Sequence, residues 1–131
     1  LSQANVDAVR GQLERDGPDF ASALADLSDS VVWIVAKEHP NARTLRGRAE
    51  VVAYLEEWAV MFDDFRFEVD EYRDAGNRVI AFGTSRGTGK GGGVPVEVPL
   101  ALVYTFEGGQ VVRVEEFLDR DQALTAARAA R

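Results

Sequence analysis

Residues 94–127 read VPVEVPLALVYTFEGGQVVRVEEFLDRDQALTAA, and this stretch decides the fold. Val94 to Phe106 is β-branched, aromatic and aliphatic, the composition of a long strand. Gly108-Gly109 supplies the freedom for positive φ that a two-residue hairpin turn demands. Val111 to Leu118 then predicts the returning strand. Asp119 follows as an N-cap, with Gln122 at capping-box spacing, so a short helix comes next. Strand side chains alternate between faces, so Glu115 and Glu116 point opposite ways and one of them faces inward. An inward carboxylate is costly unless it is paired or useful.

The same reading extends upstream. Arg78 to Thr88 predicts a strand, joined to Val94 by a flexible Gly87–Gly93 connection. Ala75-Gly76-Asn77 is a turn. Before it, Phe65, Phe67, Val69 and Glu71 alternate with Arg66, Glu68, Asp70 and Tyr72 as a further strand. Ser2 caps a first helix to about Arg15, with Val6, Val9 and Leu13 on one stripe. Pro18 opens a second helix whose Phe20, Ala23, Leu24 and Leu27 turn inward. Val31 to Val35 is a short strand and Lys37 to Arg46 a loop. Gly47, with Glu50 three residues on, starts a third helix whose apolar face holds Val51, Val52, Leu55, Trp58, Ala59 and Phe62. Helices segregated to one side of an antiparallel meander define an α+β fold, and long apolar strands predict a sheet curled around its helices.

Composition narrows the function. The 131 residues suit one domain spanning 1–131, and 46% hydrophobic content provides a core. A formal charge of −7 disfavours nucleic acid, and no apolar run is long enough for a membrane span. Leu1 to Gln12 is not patterned as a signal peptide, so a cytoplasmic protein is expected. Cysteine is absent, and with one histidine there is no basis for a metal centre of cysteines or several histidines. Lys90 among glycines lacks the Lys-Ser/Thr ending of a phosphate loop, and the acids at 63–64 and 70–74 read as solvated surface. No cofactor and no metal are expected.

Three segments resemble the SnoaL-like group of the nuclear-transport-factor-2-like (NTF2-like) superfamily. Leu27-Ser28-Asp29-Ser30-Val31-Val32-Trp33 is similar to that family's aspartate-led first strand. Leu45-Arg46-Gly47-Arg48-Ala49-Glu50-Val51 is similar to the opening of its third helix. Tyr104 through Asp119 is similar to its closing hairpin, and Asp121 to Ala126 to its trailing helix. The resemblance implies a conical α+β barrel with a ligand pocket between the concave sheet face and the helices. Members include polyketide cyclases, steroid isomerases, epoxide hydrolases and proteins without known activity, so fold does not fix function.

The resemblance also implies a site. Its register puts Val112, Val114, Glu116 and Leu118 on the concave side, and Glu115, Arg113 and Phe117 outside. Glu116 then stands where the epoxide hydrolases carry a catalytic aspartate. In an apolar cone its pKa would rise, as suits a general acid or base. Phe82, Thr84, Arg86 and Thr88 share a face, taken as concave, which makes Arg86 the partner of Glu116 and the anchor for a substrate oxygen. The hydrolases' second acid would fall at Thr88, so their two-acid set is incomplete. The steroid isomerases' base and oxyanion acid would fall near Ile34 and Pro99, neither of which can serve. His39, in the loop before the third helix, is a further acid/base candidate at the pocket mouth. Trp33, Tyr54, Trp58 and Phe62 fit aromatic walls and core packing equally, and Thr84 offers a hydroxyl. Val96, Val98, Leu100, Leu102 and Tyr104 are taken as an apolar convex face, which predicts a homodimer through the sheet. A small apolar molecule is the expected ligand. The expected function is a cofactor-independent cyclase, isomerase or hydrolase; a non-catalytic binding module and an interaction domain with a filled cone are the alternatives.

Overall fold

The computed structural model describes residues 2–13 and 27–128. Its elements are α1 (Ser2–Leu13), β1 (Leu27–Ile34), β2 (Thr44–Arg46), α2 (Arg48–Met61), β3 (Phe62–Ala75), β4 (Arg78–Gly89), β5 (Pro95–Glu107), β6 (Gln110–Phe117) and α3 (Arg120–Arg128). The six strands form one sheet in the order β2-β1-β6-β5-β4-β3. Strands β3 to β6 make the expected antiparallel meander. Strand β1 runs parallel to β6, and β2 adds antiparallel to β1. Strands β2 and β3 stay apart as the two edges, so the curved sheet is not closed.

Local chemistry explains the element ends. Gly47 has φ 86°, a conformation that costs glycine little and other residues much, and it turns the chain into α2. Glu50 reaches back to accept the Arg46 backbone N–H at 2.8 Å, one half of a capping arrangement. Gly108 and Gly109, at φ 58° and 80°, make the predicted hairpin. The Asp119 carboxylate accepts the N–H groups of Asp121 (2.7 Å) and Gln122 (3.4 Å), capping α3.

Several boundaries move. Thr44–Arg46 pairs with β1 instead of staying in the loop, Leu27 opens β1 instead of ending a helix, and Phe62 opens β3 instead of ending α2. The expected second helix, with Phe20, Ala23 and Leu24, lies outside the described residues.

The sheet has a core on each face. Val9 of α1 and Val51 of α2 pack on the concave side with Leu27, Val31, Val79, Val111 and Val114. Ala123 and Ala127 of α3 pack on the convex side against Ile80, Phe82, Ala101 and Val103. The helices therefore do not all lie on one side, because α3 carries its own apolar stripe to the outer face.

This division corrects two face assignments. Phe82 is convex, and alternation along β4 takes Thr84, Arg86 and Thr88 out with it. Tyr104, Leu102 and Leu100 belong to the concave core, so the apolar row of β5 faces inward, and the reason for expecting a dimer through that row is gone. The outer row opposite it holds Glu97 and Pro99 in register with Arg86 and Thr84.

Candidate functional site

A cavity of about 410 Å³ lies between α2, the loop after β1 and the concave sheet face. Strand β5 supplies Val96, Val98, Leu100, Leu102 and Tyr104 as one wall. Trp33 of β1 and Tyr54, Leu55 and Trp58 of α2 supply the facing wall. Phe62, Phe65 and Phe67 of β3 complete it. Phe62 and Phe65 are three apart and would not share a face in a regular strand. The pairing shifts between Asp63 and Arg66, with Asp64 at φ 57°, and this bulge turns both rings inward. They stack on Trp58 at centroid distances of 5.6 and 5.4 Å, with interplanar angles of 19° and 12°. Glu38, Pro40, Phe65 and Leu118 line the cavity and are also exposed, so they mark its mouth.

Glu116 is the buried carboxylate of this wall, with 9% of its surface exposed. Its Oε2 accepts hydrogen bonds from Trp33 Nε1 and from the Tyr54 hydroxyl, each at 2.8 Å. Its Oε1 accepts one from the Ala36 backbone N–H at 3.2 Å. Three donors from β1, the following loop and α2 thus satisfy a group that would otherwise be very costly to bury. Burial, and then the Glu116 charge, hold the Tyr54 hydroxyl well above the usual phenol range, so it stays a donor. Burial does the same for Tyr104, with Tyr72 and Glu116 adding to it. Tyr104 pairs with Val114 and Leu102 with Glu116, which sets Tyr104 and Glu116 on one diagonal of the concave face.

The expected Glu116–Arg86 pair does not form. Arg86 borders the cavity, but its guanidinium donates to Glu68 at 2.5 Å and to Glu97, on the outer face. Arg66 and then Arg86 hold the Glu68 carboxyl below the usual range. His39 does sit at the cavity. Its Nδ1 accepts the Asn41 N–H at 3.0 Å and its ring meets Trp58 edge-on at 5.2 Å.

Of the expected wall residues, Trp33, Tyr54, Trp58, Phe62 and Leu118 line the cavity. Val114 is fully buried in the concave core beneath it. Phe82 and Thr84 are on the wrong face. Val112 is displaced too, because a register shift at Thr105/Phe106 brings Val111 inward instead. Phe65, Phe67 and Ser85 also line the cavity, beyond the residues expected from the sequence, and the β5 row lies inside instead of outside. The signal that finds that row is parity, since Val96, Val98, Leu100 and Leu102 alternate with Glu97 and Pro99. Among the described residues no group of three His, Cys, Asp or Glu could hold a metal ion. No described helix is long and apolar enough to cross a membrane.

The α+β fold, with its curved and unclosed sheet, is the one that solved structures of NTF2-like proteins share. An NTF2-like protein of unknown function from Burkholderia pseudomallei K96243 superposes with TM-score 0.77 at 25% identity, covering 96% of this chain and 98% of its own. An NTF2-like protein from Burkholderia thailandensis E264 gives 0.77 at 26%, with 99% of each chain covered. A protein from Jannaschia sp. CCS1, provisionally described as a SnoaL-like polyketide cyclase, shares the fold at TM-score 0.74 and 20% identity, over 99% of this chain and 95% of its own. Residues 9–114 match the SnoaL-like domain family, and the chain belongs to that family. A search of curated proteins gives no match.

Proposed function

We propose that this SnoaL-like protein binds a small apolar molecule in its cavity and uses Glu116 as a cofactor-independent acid/base. The observation that carries the reading is a buried carboxylate on the wall of a largely apolar cavity, with a single hydrogen bond to its Oε1 among the described residues. The second lone pair of that oxygen is the one left to take a substrate proton. A suitable step is removal of a proton from a carbon next to a carbonyl. The Tyr104 hydroxyl, on the same diagonal, would donate to the enolate oxygen in place of the anchor first sought in Arg86. Trp33, Tyr54 and the Ala36 amide would orient the base without sharing its work.

The test is proton exchange in D2O. A panel of small cyclic ketones is incubated with the protein, and loss of the α-proton signal is followed by NMR. The reading expects exchange with at least one ketone, lowered by roughly 10²–10⁴-fold in Glu116→Gln. Exchange that survives this substitution unchanged sinks it.

Binding without turnover is the second reading. It draws on the three hydrogen bonds to Glu116, which tie β1, its following loop and α2 to β6. Ligand binding retained in Glu116→Gln, with no exchange in the wild type, favours it.

A further inference from the structure

Among the described residues, the charged side chains of the cavity wall that are not already tied up outside it are carboxylates. Glu116 lies inside, and Glu38 stands at the mouth. The cation on the wall, Arg86, is already shared between Glu68 and Glu97 on the outer face. Arg43, near the Tyr54 ring at 5.4 Å, is bound to the Asn41 carbonyl at 3.0 Å and to Glu57 at 3.5 Å. His39 Nδ1 is taken up by a hydrogen bond that it accepts from the Asn41 N–H at 3.0 Å. Among the described residues, every hydrogen-bond partner of the Glu116 carboxylate is an uncharged donor. An anionic ligand would therefore meet a buried negative charge with no uncommitted cation to answer it among the described residues that line the cavity. A ligand with its own O–H or N–H would find an acceptor on an apolar wall.

We infer that the cavity selects a planar, apolar ring system carrying one uncharged hydrogen-bond donor, and that it rejects the same ring bearing a carboxylate. This rests on the cavity being a binding site, as proposed above, and adds the ligand's charge and polarity. Two like charges about 6 Å apart at an effective dielectric of about 20 weaken binding by roughly a hundredfold. A hydrogen bond to a charged acceptor strengthens it by about tenfold or more.

Three probes of one shape separate these effects: 2-naphthol, naphthalene and 2-naphthoate, titrated calorimetrically into the full chain at pH 7.5. Naphthol is expected to bind about tenfold more tightly than naphthalene, and naphthoate more weakly than both. Glu116→Gln is expected to bring naphthoate to within about threefold of naphthalene. Naphthoate binding the wild type as tightly as naphthalene overturns the inference while leaving the cavity a binding site. Failure of all three to bind removes the binding site itself, and the inference with it. The wild-type series decides the sign of the preference even if the variant does not fold. A variant that folds and still rejects naphthoate overturns the assignment to Glu116.

Discussion

Two of the donors on Glu116 come from Trp33 and Tyr54, 83 and 62 residues away in the chain. Removing one of them leaves a buried carboxylate short of a partner. Tyr54→Phe is expected to destabilise the fold by about 1–3 kcal/mol in urea denaturation, and a change below about 0.5 kcal/mol would show that the bond carries little. At this scale the sequence was partly legible. Alternation showed that one of Glu115 and Glu116 faces inward, and the resemblance chose Glu116. Its partner was not legible, because arginine is the usual answer to a buried acid and nothing local links residue 116 to residues 33 and 54. Those two side chains drew notice only as aromatic bulk, although each also carries a polar hydrogen that can reach an acid.

Two elements depend on single residues. Arg78 on β4 donates through Nη1 to the carbonyls of Ala126 (3.2 Å) and Ala127 (3.1 Å), at the end of α3. A cation there also suits the helix dipole. Arg78→Ala is expected to raise amide exchange across α3 at least tenfold while β4 and β5 stay protected, and uniform exchange over the whole chain would contradict a local role. Gly83 serves the sheet differently. A Cβ there would sit 2.1 Å from the Glu68 carbonyl oxygen, where the β3 bulge crowds β4. Gly83→Ala is expected to cost about 1–3 kcal/mol or more, readable as a fall in Tm. The strands and turns of the meander were legible because alternation and glycine pairs are local signals. Which face of β4 and β5 turns inward was not, since alternation sorts residues into two sets without naming the inner one. Charge does name it. Glu68, Arg86 and Glu97 form one outer network, and the β5 residues between Glu97 and its outer neighbours line the cavity. The parallel β1–β6 pair and the short β2 were also out of reach, because such pairings join distant segments.

For the whole molecule, burial of Tyr54 and Tyr104 makes stability depend on alkaline pH. Both hydroxyls have raised pKa values in the fold, against 10.0 for the free side chain. The unfolded chain therefore loses these protons first. Stability is full below about pH 10 and falls above it, by about 1.4 kcal/mol per pH unit for each tyrosine. Absorbance at 295 nm is expected to show two of the three tyrosines ionising only as the fold is lost, and ionisation of all three in a folded protein would contradict their burial. The α+β class was legible at this scale from element order, whereas the packing of α3 on the outer face was not. The cavity joins these scales, for its wall comes from β1, α2, β3, β4 and β5 and its carboxylate from β6. A crystal structure of the chain soaked with 2-naphthol tests it most directly. The ring is expected among Trp58, Leu100 and Tyr104, with its hydroxyl about 3 Å from a Glu116 oxygen. A cavity filled by side chains, or Glu116 turned out to solvent, would contradict it.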